Sequence, residues 1–203
     1  MKRLTLLAAL LSAAGTARVG AQSAWHISAG LSGAHEIVDS KSTGTVFGGE
    51  ALVSGGNVQA RLRYGQGSIA GDSVSRDVVT GEALLGYRVR SWLSVWIGPE
   101  ARTFTATGLS DRRWLLWSGR VSARGAIFPG RLDSFAELWE GFSGTLSRPA
   151  ADARGGGAEL GLEAPLARAF WARLGYRIEQ GRVSGGAKET VEGFALTLGW
   201  SLR

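Results

Sequence analysis

Large apolar residues alternate with small or polar residues along most of the chain. The last eleven residues, 193–203, read GFALTLGWSLR, in which every second residue from Phe194 to Leu202 is large and apolar. A period of two is the pattern of a β-strand that places its apolar side chains on one face. Helical spacing is hard to find anywhere beyond the N-terminal segment. The pattern therefore predicts an all-β protein.

The alternation predicts ten strands. They cover residues 24–33, 44–54, 57–66, 78–90, 92–104, 114–126, 134–144, 157–164, 169–179 and 190–202. Most are longer than the roughly 5–6 residues typical of soluble sheets. Their length is close to the ~9–11 residues that a tilted strand needs to cross a bilayer.

The connections between these strands alternate between two kinds. Short turns are predicted at 55–56, 91, 127–133 and 165–168, and long loops rich in Gly, Ser, Asp and Arg near 34–43, 67–77, 105–113, 145–156 and 180–189. With an even number of strands, all short turns then fall on one side of the sheet and all long loops on the other. This layout resembles bacterial outer-membrane β-barrels. The resemblance is architectural and covers residues 22–203 as one domain.

That resemblance implies a closed, up-and-down antiparallel transmembrane β-barrel of about ten strands, with eight or twelve as alternatives. It also implies that both termini and the short turns are periplasmic and that the long loops are extracellular. The C-terminal strand is expected to pair with residues 24–33 and close the barrel. Lipid and the outer-membrane insertion machinery become the expected partners. Such barrels commonly end in an aromatic residue, whereas this chain ends Trp200-Ser201-Leu202-Arg203.

The non-apolar face of the strands collects charged residues, which a membrane barrel turns towards its interior. The predicted charge network of the lumen comprises Glu50, Arg61, Arg63, Glu82, Arg88, Glu100, Arg102, Arg120, Arg124, Glu159, Glu163, Arg173 and Arg177. Seven outward aromatic residues are predicted to lie at the two membrane interfaces. These are Trp25, Phe47, Tyr64, Trp92, Trp117, Phe170 and Trp200. Local alternation fits a soluble two-sheet sandwich equally well, with the apolar face buried and the charges in water.

Two hairpins yield explicit registers. A two-residue turn at Gly55-Gly56 would place Glu50 opposite Arg61 and Phe47 opposite Tyr64. A turn centred near Arg168 would pair Glu163 with Arg173 and Glu159 with Arg177.

Two strands depart from a simple pattern. Pro99 inside the fifth strand predicts a β-bulge, because proline cannot donate to the ladder. The strand at 134–144 carries a glutamate on each face. We favour the register that turns Leu138, Glu140 and Phe142 outward, with Glu140 near the lipid headgroups.

The N-terminus has the layout of a secretory signal peptide over residues 1–21. Lys2 and Arg3 precede an apolar run from Leu4 to Ala14, followed by small residues up to Ala21. Removal of this segment would lower the formal charge from +6 to +3, because it contains Lys2, Arg3 and Arg18. The basic composition is therefore a poor argument for nucleic acid, which we do not expect as a partner.

Residues for metal, cofactor or catalytic chemistry are scarce. The chain has no Cys and two His, so no metal site and no cofactor are predicted. His35, oriented by Asp39 or Asp111, is the one candidate general base. Outer-membrane barrels include the rim-sited omptin proteases, but none of their motifs matches this chain.

We therefore predict a non-enzymatic barrel with a structural or surface-interaction role and a charge-paired interior. Ten strands lie near the size at which side chains fill the lumen. A narrow pore that favours anions through its excess of Arg is the alternative, followed by a rim enzyme or a soluble exported β-protein. The predicted long loops carry cations that are either solvated or in contact with outer-leaflet phosphates: Lys41, Arg76, Arg112, Arg113, Arg148, Arg154, Arg182 and Lys188.

Overall fold

The described part of the chain forms one closed antiparallel sheet. The computed structural model describes residues 25–71, 75–106, 111–147, 150–183 and 188–202. The ten strands are β1 His26–Val38, β2 Ser42–Gly55, β3 Val58–Ala70, β4 Ser75–Arg90, β5 Leu93–Thr105, β6 Arg112–Phe128, β7 Leu132–Ser147, β8 Ala150–Pro165, β9 Phe170–Val183 and β10 Lys188–Leu202. Each strand pairs with the next one along the chain, and β10 returns to pair with β1. The up-and-down ten-strand barrel and its closing strand are thus confirmed, whereas the signal peptide at 1–21 lies outside the described residues.

The strands are longer than the sequence predicted. In four of the five segments predicted as long loops, all except 105–113, most of the residues continue a strand. Strands β1 and β2, for example, are separated only by residues 39–41. Asp39 and Ser40 make this tight turn with φ values of 52° and 56°, in the left-handed region where short polar residues are tolerated best. The prediction failed because these strand extensions have polar outer faces. Their ladders still satisfy the backbone hydrogen bonds that a loop would expose.

Large apolar side chains cover the outside of the barrel. Leu31 is 73% exposed and Leu85 65%, although both lie within regular strands. We define the apolar belt as the outward-facing residues of 27–31, 47–53, 58–64, 79–89, 93–101, 115–123, 136–142, 158–164, 170–178 and 194–202. At ~3.3 Å per residue and a tilt of about 40°, a belt segment of nine residues rises roughly 20 Å, close to the ~25 Å apolar band of outer-membrane barrels.

Beyond the belt, at the end away from the short turns, the outward residues are mostly polar. His35, Thr45, Gln66 and Gln180 occupy this position on β1, β2, β3 and β9. A soluble sandwich would bury the apolar face under a second sheet, but here that face surrounds a single closed sheet. The fold is therefore the inverted, transmembrane-type barrel, and the architectural resemblance to outer-membrane β-barrels is confirmed. No helix among the described residues is long and apolar enough to span a membrane.

One predicted hairpin register is wrong and the other is confirmed. The turn between β2 and β3 uses Gly56 and Asn57, so Gly55 pairs with Val58 and Glu50 lies opposite Arg63 rather than Arg61. Phe47 consequently lies opposite Gln66 rather than Tyr64. Gly56 alone takes a positive φ, 59°, as in a two-residue turn with glycine at its first position. Between β8 and β9, Glu159 pairs with Arg177 and Glu163 with Arg173, as predicted.

The two irregular strands give one correction and one confirmation. The predicted bulge at Pro99 is wrong, because Glu82–Glu100 and Leu85–Ile97 pair in one continuous register on either side of it. Proline removes one ladder donor without requiring an inserted residue, and the register shift of β4 with β5 lies instead between Arg88 and Arg90. On β7, Leu138 and Phe142 face outward, as favoured.

Candidate functional site

The interior of the barrel is the most densely charged part of the described structure. Arg120 lies at its centre with a side chain that is 0% exposed. Its guanidinium contacts Glu82 at 2.7 Å, Glu137 at 3.1 Å and also Glu100. Arg120 lies on β6, and the three carboxylates come from three other strands, β4, β5 and β7. A buried cation is tolerated only when its charge is compensated in this way.

Ion pairs also cross the lumen. Arg61 on β3 binds Glu137 on β7 through two nitrogen–oxygen contacts of 2.7 Å each, the bidentate geometry that makes such pairs strong. Arg63 joins Glu50 and Glu159, both at 3.1 Å, and so connects β3 to β8 on the opposite wall. These side chains occupy the space that a channel would need.

A second layer lies nearer the short turns. Arg173 binds Glu50 at 2.6 Å and Glu163 at 2.8 Å. Arg124 binds Glu163 and approaches Asp133 at 3.4 Å, with its own side chain 46% exposed. The side chain of Arg88 is half-buried, at the short-turn end of β4.

A third group lies on the other side of the network. Arg102 approaches Glu36 at 3.5 Å and Glu179 at 3.8 Å, and Arg177 donates to Glu179 at 3.0 Å. All thirteen predicted network residues lie on the inward-facing parity of their strands. Ion pairs join ten of them to one another, and Arg102 and Arg177 pair with Glu36 and Glu179 outside the predicted set.

Sequence reasoning omitted several members of this interior from the predicted network. Glu137 is bound by two arginines, and Glu36 and Glu179 are also paired, yet none of the three was included. The parity favoured for β7 would have identified Glu137. With these residues included, the ion pairs among the described residues contain eight arginines and ten carboxylates. The premise of an excess of interior Arg, on which anion preference depended, is therefore wrong.

Four tryptophans also face the lumen, and each lies beside an arginine. Arg61 stacks over Trp96 at 4.9 Å, and Arg112 over Trp114 at 5.3 Å. Arg120 and Arg177 lie at 5.0 and 4.6 Å from the Trp139 ring. Trp171 has Arg173 at 4.9 Å. These cation–π contacts hold the guanidinium groups in place within the lumen.

Inward glycines make room for these rings. Gly157 lies directly opposite Trp139 in the β7–β8 ladder, and a Cβ at Gly157 would lie 2.5 Å from the indole. Gly86 stands in the same relation to Trp96, with a Cβ distance of 2.2 Å. Part of the high glycine content of the chain is therefore explained by close packing inside the barrel.

An apolar cluster fills the lumen beyond the charges, at the end where the outer face is polar. This apolar plug consists of Ile69, Val78, Phe104, Trp114, Leu116, Leu146 and Ala153. Arg112 and Glu189 form an ion pair of 3.1 Å beside it. Burial raises the pKa of the Glu189 carboxyl above its usual value, and the nearby Arg112 only partly opposes this shift.

A cavity of about 160 Å³ separates the plug from the charge network. Glu36, Arg102, Glu179, Trp114 and Leu116 are among its lining residues. One oxygen of Glu36 and one nitrogen of Arg102 are buried without a hydrogen-bond partner among the protein atoms. A cavity of this size and polarity accommodates several water molecules.

The seven predicted interface aromatics all lie on the outside. Their exposed fractions run from 43% for Trp200 to 68% for Trp25. Trp25, Trp92, Phe170 and Trp200 lie near the short turns, whereas Phe47, Tyr64 and Trp117 lie towards the far edge of the belt.

The candidate catalytic residues are not brought together. His35 faces outward on β1, opposite Phe194 and Thr45. The Asp39 carboxylate instead accepts the backbone N–H of Thr190 at 2.7 Å. No hydrogen bond or ion pair in the described ranges joins His35 to Asp39 or Asp111, and these ranges contain no cluster of His, Asp and Glu suited to a metal ion.

No protein-family model and no curated protein matches this chain. Among solved structures, it is similar to the β domain of the Bordetella autotransporter BrkA, with 13% identity, coverage of 89% of this chain and 99% of that chain, and a TM-score of 0.46. It is also similar to Neisserial surface protein A, with 14% identity, 90% and 99% coverage and a TM-score of 0.39. The attachment invasion locus protein Ail of Yersinia pestis gives 13% identity, 90% and 100% coverage and a TM-score of 0.39. At such identities and scores, the assignment as a barrel rests on the sheet closure and side-chain distribution of the chain itself.

Proposed function

We propose that this chain is an integral outer-membrane β-barrel with a closed interior and a structural or surface-interaction role rather than an enzymatic one. The observation that carries the proposal is the cross-lumen charge network, enclosed by a sheet whose outer face is apolar. The Arg61–Glu137 and Arg63–Glu159 pairs join walls on opposite sides of the lumen. Their geometry favours a rigid, filled barrel.

The distribution of apolar and polar residues on the outer face also supports an orientation of the barrel in the membrane. The belt begins close to the short turns, so this end has little chain beyond the bilayer and suits the periplasm. At the other end the strands continue past the belt with polar outer faces, which suits the cell exterior. The termini are then periplasmic, and the insertion machinery for outer-membrane barrels is the expected assembly partner.

Membrane fractionation combined with heat-modifiable gel mobility tests the location. We expect the mature chain in the outer-membrane fraction, with a faster unboiled band, because a closed barrel stays compact in detergent. Recovery in the soluble fraction without a mobility shift would refute the proposal. Protease added to intact cells tests the orientation, since only connections beyond the polar strand ends should be cleaved.

A narrow pore is the second candidate, favoured by the 160 Å³ cavity in the lumen. Planar-bilayer recordings separate the two functions. We expect no discrete conductance from the wild type. An Arg61→Ala/Glu137→Ala variant should show channel openings, because it removes both partners of one ion pair that crosses the lumen. An Arg131→Ala variant, changed in a short turn, is the matched control. Discrete wild-type channels would favour the pore.

The purified barrel should show no hydrolytic activity, and the alternative of a rim enzyme is tested at His35. If a hydrolytic activity is found in the purified barrel, His35→Ala should leave it unchanged, because the imidazole and the Asp39 carboxylate make no contact. Loss of activity in this variant would support a rim enzyme.

A further inference from the structure

Three cations form a row on the outer face of the barrel, beyond the belt. Arg182 on β9 lies directly opposite Arg154 on β8 and directly opposite Lys188 on β10. All three side chains are exposed. Adjacent strands lie ~4.8 Å apart, so the row places three positive charges across about 10 Å. We call these three residues the cation ladder.

The positions of the three cations are unfavourable for the stability of the sheet. Like charges directly opposite each other destabilise a strand pair, and here the repulsion occurs twice in succession. None of the three takes part in an ion pair with any carboxylate that the structure describes, in contrast to the arginines of the lumen network. The nearest outward acids along these strands are Asp152, exposed, and Glu192, which accepts the Tyr176 hydroxyl at 3.0 Å.

The ladder is placed at the edge of the belt. Arg182 donates to Gln180, on the belt side of it, at 2.9 and 3.3 Å, so its guanidinium is drawn towards the apolar surface. Beyond Gln180 follow Ile178 and then Tyr176, whose ring packs against Phe194 with centroids 4.8 Å apart. Cations followed by an apolar and aromatic surface match a molecule with a phosphate head and acyl chains.

The row of three adjacent cations lies on one side of the barrel, and the exposed, outward-facing Arg113 on β6 lies apart from it. On the opposite side, the corresponding ladder beyond the belt consists of Thr45, Ser68, Asp77 and Thr105, each paired with the next. If these cations served only to keep the protein soluble, we would not expect three of them to be adjacent on one side of the barrel. Of the cations predicted to contact phosphate, Arg154, Arg182 and Lys188 are thus brought together, Arg112 is turned inward to Glu189, and Arg148 lies outside the described residues.

We propose that the cation ladder binds the phosphate groups of an outer-leaflet glycolipid, whose acyl chains lie along β8–β10. This proposal rests on the proposed function, because it requires the belt to be embedded in a bilayer. The lipid, rather than free phosphate, is favoured by the apolar surface that continues directly from the ladder.

Native mass spectrometry of the folded chain in neutral detergent tests the site, with bisphosphorylated lipid A as the probe. The test variant is Arg154→Gln/Arg182→Gln/Lys188→Gln. The matched control is Arg90→Gln/Arg131→Gln/Arg168→Gln, which removes three exposed cations at the short-turn end. We expect the test variant to bind lipid A about 100-fold more weakly than the wild type, and the control variant to bind it within about two-fold of the wild type.

Several outcomes would overturn the site. Equal binding by wild type and test variant, or an equal loss in the control variant, would show that the row itself is not recognised. Competition by inorganic phosphate at the lipid concentration would show that the acyl chains contribute nothing. The test variant should refold at least as well as the wild type, since its change relieves repulsion. Refolding into neutral phosphatidylcholine vesicles separates this proposal from the proposed function. If the chain inserts into these vesicles but wild type and test variant bind lipid A equally, only the lipid site at the cation ladder is refuted.

Discussion

Replacement of Arg120 by methionine is the sharpest test of the charge network. Methionine retains much of the volume but leaves three buried carboxylates without this cation. Glu82 and Glu137 keep Arg61 at 3.0 and 2.7 Å. Glu100 has no other cation within ion-pairing distance among the described residues, so its charge becomes uncompensated.

The structure sets the expected magnitude. Removal of one partner from a buried ion pair costs about 3–5 kcal/mol, and Arg120 is fully buried. Arg124→Met is the matched control, because that side chain is 46% exposed and Glu163 retains Arg173. A pair this exposed contributes about 0–1 kcal/mol. The two substitutions are chemically identical, and so the difference measures burial.

Urea unfolding in neutral lipid vesicles, followed by tryptophan emission, measures the free energy of unfolding. Addition of Glu100→Gln to Arg120→Met should restore about 1–3 kcal/mol of the free energy of unfolding, because the uncompensated charge of the Glu100 carboxylate is removed. If Arg120→Met loses no more stability than Arg124→Met, or if Glu100→Gln restores nothing, the network does not hold the barrel together as inferred.

Two further predictions use the same unfolding measurement. Gly157→Val should lower the free energy of unfolding by about 1–3 kcal/mol, because its Cβ would lie 2.3 Å from the backbone oxygen of Ile178 and 2.5 Å from the Trp139 indole. Gly125→Val, whose Cβ would have no atom of the described residues within 4 Å, should cost far less. Equal losses would refute the close packing inferred between glycine and indole. Leu198→Lys should cost about 2–4 kcal/mol in a bilayer if this belt residue faces lipid near the midplane, and Thr190→Lys, beyond the belt on the same strand, about 0–1 kcal/mol. A cost at Leu198 no larger than at Thr190 would contradict the membrane position.

The inward or outward direction of each side chain was predictable from the sequence, because apolar and polar residues alternate along each strand. Glu159 and Arg177, for example, were assigned to one face and paired correctly. The β2–β3 register was missed because Gly55, Gly56 and Asn57 offer two adjacent two-residue turns. A shift between these turns leaves the faces unchanged, so parity could not reveal it.

Contacts across the lumen were beyond sequence reasoning. Whether Arg63 reaches Glu159 depends on strand number, tilt and closure, none of which is a local property. The inward tryptophans were missed for a different reason. Trp96 and Trp139 are uncharged and lie outside the outward apolar stripes, so they were assigned to neither the charge network nor the interface aromatics, although their parity matched that of Glu100 and Glu137.

The long strand extensions were missed because the pattern reverses there. On β3 and β4 the inward residues Ile69 and Val78 are apolar, and the outward residues Ser68 and Asp77 beside them are polar, as in a water-soluble protein. The outward apolar stripes therefore end at the belt, and the segments beyond it have the polar composition typical of loops.

The cross-lumen pairs also constrain the order of assembly. Arg173 and Glu50 are 123 residues apart, and Arg63 and Glu159 are 96 apart, so these contacts form only after most of the chain has been threaded. Until then these side chains require hydration, because an isolated ion in hydrocarbon is strongly disfavoured. A growing sheet of this sequence must therefore keep its concave side wet until β10 meets β1. Closure then brings the charged partners together and leaves room for water in the cavity beside the plug.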